Sequence, residues 1–350
     1  MQISPLGLVP KQKPGEYRVI HDLSYPEGLS INDGIVKEDS AVSYQTIDDA
    51  VTLIKQFGKG ALLSKTDIEH GYKNIPIHPA DHELLGFAIG SEIYYDKTLP
   101  MGLSSVCNLF EQFSSALHWV AYEKLKIPGC VYLLDDLLLV GPPTLSICEG
   151  QLTLFLQFLD HVKVPIKHEK TIFPTTVLIF IGLELDTDAV EIRLPLDKLH
   201  KLRDKINYAK NRQTLTLQEL QSLIRLLHFA CAVVPPGRTF LRRLIDLTKG
   251  LKKPHHKRRL NKEARADLAA WSLFLEHFNG TSLFLEDILQ TSATLQLYTD
   301  ASRLGFGGTF GTKWFSEKWK NEWKDYPIYV KELFPIVITV EIWGQVMANK

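Results

Sequence analysis

The chain has 350 residues, 45% hydrophobic and 23% charged, and its 40 Lys and Arg residues balance its 40 Asp and Glu residues. This is the composition of an ordinary globular protein with room for two or three domains and a substantial core. Because the charges cancel, the bulk charge says nothing about a polyanionic partner, and only local clusters are informative. No uninterrupted apolar stretch approaches the ~20 residues needed to span a bilayer, so we expect no membrane partner.

The four cysteines, Cys107, Cys130, Cys148 and Cys231, have no spacing typical of a zinc site or a disulfide framework. The first residues, "MQISPLGLVPKQKPGEY", lack the apolar core of a signal peptide. Both features indicate a reducing compartment, so we expect an intracellular protein of the cytoplasm or the nucleus.

The first predicted elements are short. Residues 1 to about 35 place Pro and Gly between brief apolar pieces, which predicts a hairpin. Thr46 stands ahead of two aspartates and of apolar residues at helical spacing, which predicts a capped helix ending near Gly58. "ALLSKTDI" is then typical of a strand whose end presents Asp67.

A strand pair around Gly90 and a long amphipathic helix, "SSVCNLFEQFSSALHWVAYEKL", follow. Two apolar arms, "VYLL" and "LLLV", then meet at Asp135 and Asp136. A helix over about residues 145–162 leads into the strand-like segments "VPIKHEKTIF" and "VLIFIGLELDT". This order predicts an α+β layer whose antiparallel sheet carries both Asp67 and the aspartate pair.

The composition changes after Asp186, where "LDKLHKLRDKINYAKN" and "TLQELQSLIRLLHFAC" predict two helices of a small all-α unit. From Arg238 to Arg265, which we call the basic segment, eleven Lys or Arg residues stand against two acids. Beyond it, "LQLYTDASRLGFGGTFGTKWF" alternates like a β-meander with Gly-rich turns, and "YVKELFPIVITVEIWGQV" begins a helix.

Asp135 and Asp136 lie side by side in the apolar run "VYLLDDLLLVG". A buried unpaired carboxylate costs on the order of several kcal/mol, and two charges about 4 Å apart repel by about 4 kcal/mol at an effective dielectric constant of about 20. One interpretation is a polar β-turn between two core strands. The other is that the pair, with Asp67 from a second strand, holds Mg²⁺, which binds carboxylates, phosphate and water. Two such ions activate a 3′-hydroxyl and stabilise a leaving pyrophosphate.

Six motifs, by their order and spacing, resemble the polymerase motifs of retroelement reverse transcriptases. They are "LVPKQKPGEYRVIHDLS", "SKTDIEHGYKNIPIH", "LPMGLSSVCNLFEQF", "YLLDDLLLVG", "IKHEKTIF" and "IFIGLEL". The resemblance continues through a thumb into a ribonuclease H segment, so it covers nearly the whole chain. Within LTR-type retrotransposons, "VVPPGRTFLRRLIDLT" and "TDASRLGFGGTF" are most similar to DIRS-like, tyrosine-recombinase elements.

The resemblance implies that Asp67, Asp135 and Asp136 are the catalytic and metal-binding set, for two Mg²⁺ or Mn²⁺ ions. Asp136 would be the supporting carboxylate. It also implies a set of residues that bind the incoming nucleotide: Lys11, Lys13, Arg18, Ile68, Tyr72, Met101, Gly102, Lys167 and Lys170. Arg18 would contact the triphosphate, because a guanidinium offers phosphate a fork of donors; a solvated surface charge is the alternative for it and for the two N-terminal lysines.

Other roles follow from the same resemblance. Tyr72 is similar to the aromatic gate that lies under the sugar and rejects a 2′-hydroxyl, while core packing is a compatible alternative. Gly102 would permit close backbone approach to nucleotide and template. Either Lys167 or Lys170 would donate a proton to pyrophosphate. Met101 stands where Phe or Gln is more usual.

Phe180, Ile181 and Gly182 resemble the hairpin that grips the primer end, although an ordinary strand is equally compatible with these residues. Leu133 and Leu134 stand where retroviral enzymes usually have Tyr and Met. A primer-side tyrosine contact is therefore lost. No metal ligand is lost, so we expect the chemistry to survive.

Asp300, at the end of "LQLYTD", and Glu332, in "YVKEL", resemble the first two carboxylates of a ribonuclease H two-metal site. The alternative is a strand-end Asp and a Glu stabilised at a helix N-terminus. Family enzymes supply further acids from later elements, and the sequence stops at Lys350 before they occur. We therefore expect weak or absent RNA cleavage by this chain.

The sequence thus predicts an α+β right-hand polymerase. Its parts are fingers and palm over 1–186, a helical thumb over 187–248, a basic connecting segment over 249–290 and a truncated ribonuclease H-like α/β module over 291–350. The predicted activity is RNA-directed DNA synthesis from dNTPs on a primed RNA or DNA template. The basic segment contacts an RNA–DNA hybrid, or is a solvated linker. The alternative is a decayed or co-opted retroelement remnant that binds nucleic acid without polymerising. A third hypothesis, a structural domain with accidental motifs, would require six ordered coincidences.

Overall fold

The computed structural model of the chain describes residues 1–10, 15–277, 280–283 and 291–347. Its contacts divide the chain into two compact units, Met1–Phe284 and Leu285–Lys350. Within the described ranges, no helix is both long and apolar enough to cross a membrane.

Up to residue 186 the larger unit consists of hairpins with helices between them. In chain order its elements are β1 (Leu6–Pro10), β2 (Tyr17–His21), α1 (Lys37–Ser40), α2 (Ile47–Phe57), β3 (Leu62–Asp67), β4 (Gly86–Ile89), β5 (Glu92–Tyr95), α3 (Val106–Trp119), β6 (Cys130–Leu133), β7 (Asp136–Gly141), α4 (Leu145–His161), β8 (Ile172–Thr175), β9 (Val177–Phe180) and β10 (Leu183–Asp186). The predicted capped helix is confirmed as α2, because Thr46 and Asp49 form a reciprocal capping box and Gly58, with φ of 84°, follows its last residue.

Strands β3, β6, β7 and β8 form an antiparallel sheet in the order β6-β7-β3-β8. Successive side chains of a strand point to opposite faces, so Leu138 and Val140 of β7 enter a core shared with α2, whereas Leu137 and Leu139 enter a second core with α3 and α4. Strands buried on both faces are near-continuous apolar runs, and polar groups are left to their ends. The structure confirms that one sheet carries Asp67 and the aspartate pair.

The rest of the larger unit is mainly helical. Its elements are β11 (Glu191–Arg193), α5 (Leu196–Lys210), β12 (Thr214–Thr216), α6 (Leu217–Ala230), α7 (Arg242–Asp246), β13 (Lys257–Arg259), α8 (Lys262–His277) and β14 (Thr281–Leu283). Helix α8 packs along α5, and the fully buried Trp271 joins the core that also contains side chains of α2 and β7. Strand β13 pairs with β12, and β14 with β11. Residues 249–277 therefore fold onto the helices, because Leu260, Leu268 and Trp271 form an apolar face that the helices bury.

The smaller unit consists of a meander and one long helix. Its elements are α9 (Ser292–Leu295), β15 (Leu297–Ala301), β16 (Gly305–Phe310), β17 (Lys313–Lys318) and α10 (Ile328–Met347). The three strands are antiparallel in the order β15-β16-β17, as the alternating sequence predicts, and α10 packs on β15 and β16. Phe306, Trp319, Trp323 and Phe334 stack at the junction of sheet and helix, with ring centroids 4.6 to 5.5 Å apart for the contacting pairs.

Candidate active site

Three aspartates lie at one end of the β6-β7-β3-β8 sheet. Asp67 is the last residue of β3 and Asp136 the first of β7, and the two are directly opposite in the antiparallel ladder. Asp135 lies in the turn between β6 and β7, where its carbonyl accepts a hydrogen bond from the Ile68 N–H over 2.9 Å. The fold thus joins side chains that are almost 70 positions apart in the sequence.

The turn that carries Asp135 is supported by a hydrogen bond from α3. Leu134 has φ of 53°, a left-handed conformation that costs free energy for a residue with a Cβ, and such strain persists only where the surroundings impose it. Ser114 of α3 donates a hydrogen bond to the Leu134 carbonyl over 2.8 Å. The direction of the Asp135 side chain is therefore fixed by the helix beneath the sheet as well as by the strands.

Lysine side chains form ion pairs with two of the three carboxylates, those of Asp67 and Asp136. Lys167 Nζ lies 2.8 Å from Oδ1 of Asp67, and Lys170 Nζ lies 2.9 Å from Oδ2 of the same side chain. Lys65 Nζ lies 2.8 Å from Oδ1 of Asp136. Because Asp67 is buried, each of its oxygens exchanges water for an ammonium group. Asp67 thereby has the most complete charge compensation of the three aspartates.

The charges leave Asp135 in a different state from Asp67. Burial raises the pKa of Asp67, but hydrogen bonds from Lys167 and Lys170 outweigh it and hold that pKa below its usual value. Burial raises the pKa of Asp135, and the charges of Asp67 and Asp136 raise it further. Among the residues that the structure describes, Asp135 forms no ion pair. The site therefore contains negative charge that a further cation would stabilise.

Tyr72 lies beside these carboxylates. Its ring packs edge-on against Phe110, with centroids 5.2 Å apart, and its hydroxyl lies 3.4 Å from Sγ of Cys107. Burial raises the pKa of Tyr72, and the hydrogen bond to Cys107 and the charge of Asp135 add to the increase. The ring is half-buried, so core packing and contact with a ligand at the Asp135 side are compatible.

The residues predicted for nucleotide contact lie on several segments. Arg18 is exposed on β2, and Lys11 and Lys13 lie outside the described residues. Met101 and Gly102 form a turn against the end of the same strand, because the His21 N–H donates to the Met101 carbonyl over 2.8 Å.

The backbone conformation at Gly102 requires glycine. Its φ is 128°, and a Cβ there would overlap the carbonyl of His21. Asn32 holds the other side of this turn: its amide nitrogen donates to the Gly102 carbonyl over 2.8 Å, and its oxygen accepts from the Ser104 N–H over 2.8 Å.

The predicted primer-contacting residues form the tip of the β9–β10 hairpin. Ile181 and Gly182 have φ of 49° and 78° and make the turn. Phe180 is fully buried in the core beside this turn, so its side chain supports the turn. Lys198 of α5 donates a hydrogen bond to the Gly182 carbonyl over 2.8 Å.

Comparison with known proteins assigns these features to a family. The family model described as "Reverse transcriptase (RNA-dependent DNA polymerase)" matches residues 9–188, which include all three aspartates and more than half of the chain. The chain belongs to the reverse transcriptase family. The DIRS-like subtype and the LTR class expected from the sequence are finer assignments than this match supports.

Relatives of this reverse transcriptase chain include two viral polyproteins and a viral protein P. The genome polyprotein of petunia vein clearing virus is 24% identical over 215 residues, 59% of this chain and 9% of the relative. The Gag-Pro-Pol polyprotein of Mason-Pfizer monkey virus is 23% identical over 305 residues, 81% of this chain and 15% of the relative. Protein P of duck hepatitis B virus is 27% identical over 148 residues, 41% and 18% of the two chains. The chain therefore spans a small part of each relative.

Solved structures of foamy viral protease-reverse transcriptase have the same fold. One in complex with double-stranded DNA has a TM-score of 0.62 at 18% identity, over 98% of this chain and 56% of that one. Another, in complex with an RNA/DNA hybrid, has a TM-score of 0.57 at 17% identity, over 97% and 43% of the two chains. The right-hand polymerase fold predicted from the sequence is confirmed.

The reverse transcriptase site fits divalent ions by its donors. Asp67 and Asp135 offer hard carboxylate oxygens, the class that Mg²⁺ and Mn²⁺ prefer. Within the described ranges, no three or more His, Cys, Asp or Glu side chains are grouped as a ready-made metal site. Instead, the ammonium groups of Lys167 and Lys170 lie 2.8 and 2.9 Å from the two oxygens of Asp67. A metal ion bound to Asp67 would replace them.

The second predicted site lies in the smaller unit. Asp300, on β15, is opposite Gly307 and lines an open pocket with Glu317 and Lys318. Glu332 lies on α10, which packs against β15, but it does not line that pocket. The structure places the two acids on neighbouring elements.

Several residues of the reverse transcriptase site were not predicted from the sequence. Lys65 could have been predicted to lie at the site, because residues two apart on a strand share a face and Lys65 precedes Asp67 by two. Asn32, His21 and Lys198 had none, since their partners lie 16 to 75 positions away.

Proposed function

We propose that the chain is an RNA-directed DNA polymerase that adds deoxynucleotides to a primer 3′-hydroxyl. The observation that carries the proposal is the pairing of Asp67 with Asp136 across β3 and β7, with Asp135 in the adjoining turn. Membership of the reverse transcriptase family and the right-hand fold support it. The chain spans 9 to 15% of the length of the two polyproteins compared above.

Asp67 and Asp135 would hold two Mg²⁺ or Mn²⁺ ions, with Asp136 as the supporting carboxylate. When bound, these ions activate the 3′-hydroxyl and stabilise the leaving pyrophosphate. Lys167 and Lys170 would release Asp67 to the metal, which leaves two protonated ammonium groups at the site. While Lys170 is paired with Asp67, the hydrogen bond raises the pKa of this lysine. Once released, either Lys167 or Lys170 would donate a proton to pyrophosphate.

The other contacts are proposed by segment. Arg18 on β2, with Lys11 and Lys13, would bind the triphosphate, and the backbone at Ile68, Met101 and Gly102 would line the nucleotide. The half-buried ring of Tyr72 would exclude a 2′-hydroxyl. The turn of Ile181 and Gly182 would contact the primer.

At the level of the whole chain, we propose fingers and palm over 1–186, thumb over 187–248, connecting segment over 249–290 and a ribonuclease H-like module over 291–350. The partners would be dNTPs, a primed RNA or DNA template and an RNA–DNA hybrid, in the cytoplasm or nucleus of a host of DIRS-like elements. The four cysteines are free thiols, which suits a reducing compartment. We propose that Asp300 and Glu332 support little or no RNA cleavage.

A second candidate is a protein that binds nucleic acid without polymerising. The observation in its favour is the pairing of both Asp67 oxygens with lysines. If these ion pairs did not open, the site would lack a ligand for a divalent ion. Primer extension separates the two candidates.

The test is extension of a DNA primer on a defined RNA template with Mg²⁺ or Mn²⁺. Wild-type protein should extend the primer, and Asp67→Asn and Asp135→Asn should each abolish extension while the protein remains folded by circular dichroism. Asp160→Asn is the matched control, because this aspartate is exposed on α4 with 86% of its side-chain surface accessible. Extension by both active-site variants would refute the assignment, and a wild-type protein that binds the template-primer without extending it would favour the second candidate.

A further inference from the structure

Asn32, a partly buried residue between β2 and α1, bonds through its side chain to the turn before α3. Its Nδ2 donates to the Gly102 carbonyl over 2.8 Å, and its Oδ1 accepts from the Ser104 N–H over 2.8 Å. Nδ2 also donates to Oγ of Ser24 over 2.9 Å. Because a backbone N–H only donates, the atom that faces Ser104 must be the amide oxygen, so the orientation of the amide is determined.

The turn before α3 has a backbone conformation that needs support. Gly102 has φ of 128°, and a Cβ there would overlap the His21 carbonyl. On the side of Met101, the His21 N–H donates to the Met101 carbonyl over 2.8 Å. On the side of Ser104, which leads into α3, the bonds come from Asn32. A strand thus holds one side of the turn and a single side chain holds the other.

The backbone around Asn32 is held by hydrogen bonds of its own. Oδ2 of Asp33 accepts from the Ser30 N–H over 2.9 Å and from the Ser30 hydroxyl over 2.7 Å, which closes the short turn that contains Asn32. The Asn32 N–H donates over 3.0 Å to the carbonyl of Leu23, which is fully buried. A site is precise where the backbone that supports it is fixed, so Asn32 holds the turn before α3 in one position.

We infer that Asn32 is a positioning residue for the incoming deoxynucleoside triphosphate, because it fixes the backbone of the Met101–Gly102 turn. The inference rests on the proposed polymerase function, which assigns this turn to the nucleotide. In the described part of the chain, the side-chain hydrogen bonds of Asn32 go to residues 24, 102 and 104 rather than to the three aspartates. Loss of these bonds therefore weakens nucleotide binding and leaves the rate of the chemical step nearly unchanged.

The expected size of the effect follows from the conformations open to the turn. Glycine has more backbone freedom than any other residue, so the Gly102 carbonyl and the Ser104 N–H leave their positions once Asn32 no longer bonds them. The apparent affinity of a ligand falls in proportion to the population of the conformation that binds it. A turn that is in its binding conformation for about one tenth of the time therefore binds nucleotide about tenfold more weakly.

Asn32→Leu removes the bonds to the turn and adds no charge that would repel a triphosphate. Leucine is close to asparagine in size and shape, so this variant tests the hydrogen bonds rather than the volume of the side chain. Asn32→Ala is the second variant. Asn108→Leu is the matched control: the Asn108 amide on α3 donates to the Ala41 carbonyl over 2.7 Å, which ties a different loop to the same helix.

The experiment is single-turnover addition of one nucleotide to a DNA primer on an RNA template at varied dNTP concentration, which gives the Kd of the dNTP and the maximal rate separately. Asn32→Leu and Asn32→Ala should raise this Kd on the order of tenfold, with the maximal rate within about twofold of the wild type. Asn108→Leu should leave the Kd unchanged. Without nucleotide, hydrogen exchange at the Ser104 amide should be faster in both Asn32 variants, because this amide loses its acceptor.

An unchanged Kd in Asn32→Leu would overturn the positioning role, even where exchange at Ser104 is faster, because that result describes a purely structural contact. An equal increase of the Kd in Asn108→Leu would overturn it as well, since the effect would then come from loosening of α3 as a whole. If Asn32→Leu does not fold, a wild-type Kd in Asn32→Ala overturns the role. Absence of nucleotide addition by the wild type would instead overturn the proposed function, and the positioning role with it, so the two failures are distinct.

Discussion

Lys198 of α5 holds Gly182, at the tip of the β9–β10 hairpin, by a hydrogen bond of 2.8 Å from its ammonium group to the glycine carbonyl. The same ammonium lies 4.5 Å from the centroid of the Phe229 ring on α6, a cation–π contact. Burial lowers the pKa of Lys198. One cation thus joins the hairpin proposed to contact the primer to two helices of the proposed thumb.

Lys198→Met should loosen this hairpin, because it removes the donor and keeps the apolar stem. We expect a loss of about 1 kcal/mol in the free energy of unfolding, measured in urea, and release of primer-template several times faster than from the wild type. The rate of single-nucleotide addition from the bound complex should be unchanged. Lys201→Met, at an exposed position on the same helix, is the control, and unaltered primer release by Lys198→Met would disprove the connection.

Asp135→Asn should stabilise the protein in the absence of divalent ions while abolishing primer extension. The pKa of Asp135 is raised by burial and then by Asp67 and Asp136, so the ionised form is disfavoured in the folded state and destabilises it at neutral pH. We expect a gain of about 1 kcal/mol in the free energy of unfolding near neutral pH in EDTA. Mg²⁺ should stabilise the wild type and not the variant. A destabilised variant in EDTA would contradict the charge argument.

Asp67→Asn should act in the opposite direction. Despite burial, the pKa of Asp67 is lowered by Lys167 and Lys170, so its ionised form contributes stability above the ordinary Asp pKa, and this is lost as pH falls through the lower pKa of the folded state. In EDTA, the variant should be less stable than the wild type near neutral pH, by about 1 to 3 kcal/mol, and the difference should shrink below about pH 4. Denaturant titrations near neutral pH and below about pH 4 measure the difference in the free energy of unfolding. A difference that persists in acid would exclude the ion pairs as its source.

The features that could be predicted from the sequence are those that depend on residues close together in the chain. The α2 helix follows from the Thr46 and Asp49 capping box and from Gly58, and apolar runs that end in aspartates place the carboxylates at strand ends. Contacts between distant segments are not encoded locally, so the pairing of His21 with Asp96, 75 positions apart, gives no pattern to read.

Two elements show the same limit. The predicted helix over residues 104–125 is α-helical over Val106–Trp119, but its last part, Val120–Lys124, is π-helical, a distinction that the apolar spacing does not reveal. The basic segment has the composition of a solvated linker. However, its Leu260, and Trp271 just after it, are buried in the core that also contains side chains of α2 and β7. Charge counts describe a surface and do not reveal the apolar face beneath it.

Tyr72→Ala should raise incorporation of ribonucleotides relative to deoxyribonucleotides by on the order of 10²-fold, because it removes the ring that would exclude a 2′-hydroxyl. Tyr72→Phe is the matched control. In the wild type, the Tyr72 hydroxyl lies within hydrogen-bond distance of Cys107, so removal of this hydroxyl should leave discrimination unchanged. The ratio of kcat/KM values for dNTP and rNTP measures the effect. Loss of discrimination in Tyr72→Phe would assign the role to the hydroxyl.

The basic segment contains two kinds of cation. Arg258 is structural, since its Nε donates to the Leu247 carbonyl over 3.1 Å and its Nη2 to the Lys249 carbonyl over 2.7 Å. Four neighbours are exposed: Lys252, Lys253, Lys257 and Arg259. Lys257 and Arg259 are two apart on β13, so they face the same side. These four exposed side chains are free to contact a phosphate backbone.

Replacing these four cations by Gln should weaken binding of an RNA–DNA hybrid and make it less sensitive to salt, because each phosphate contact releases a counterion. The slope of log affinity against log salt should decrease in magnitude by up to about 3 to 4, at about 0.9 per contact. Replacing four exposed lysines elsewhere should leave the slope unchanged: Lys59, Lys124, Lys126 and Lys163. Arg258→Gln should reduce stability rather than the slope. An unchanged slope in the fourfold variant would identify these four cations as a solvated surface, since counterion release depends on direct neutralisation of phosphates.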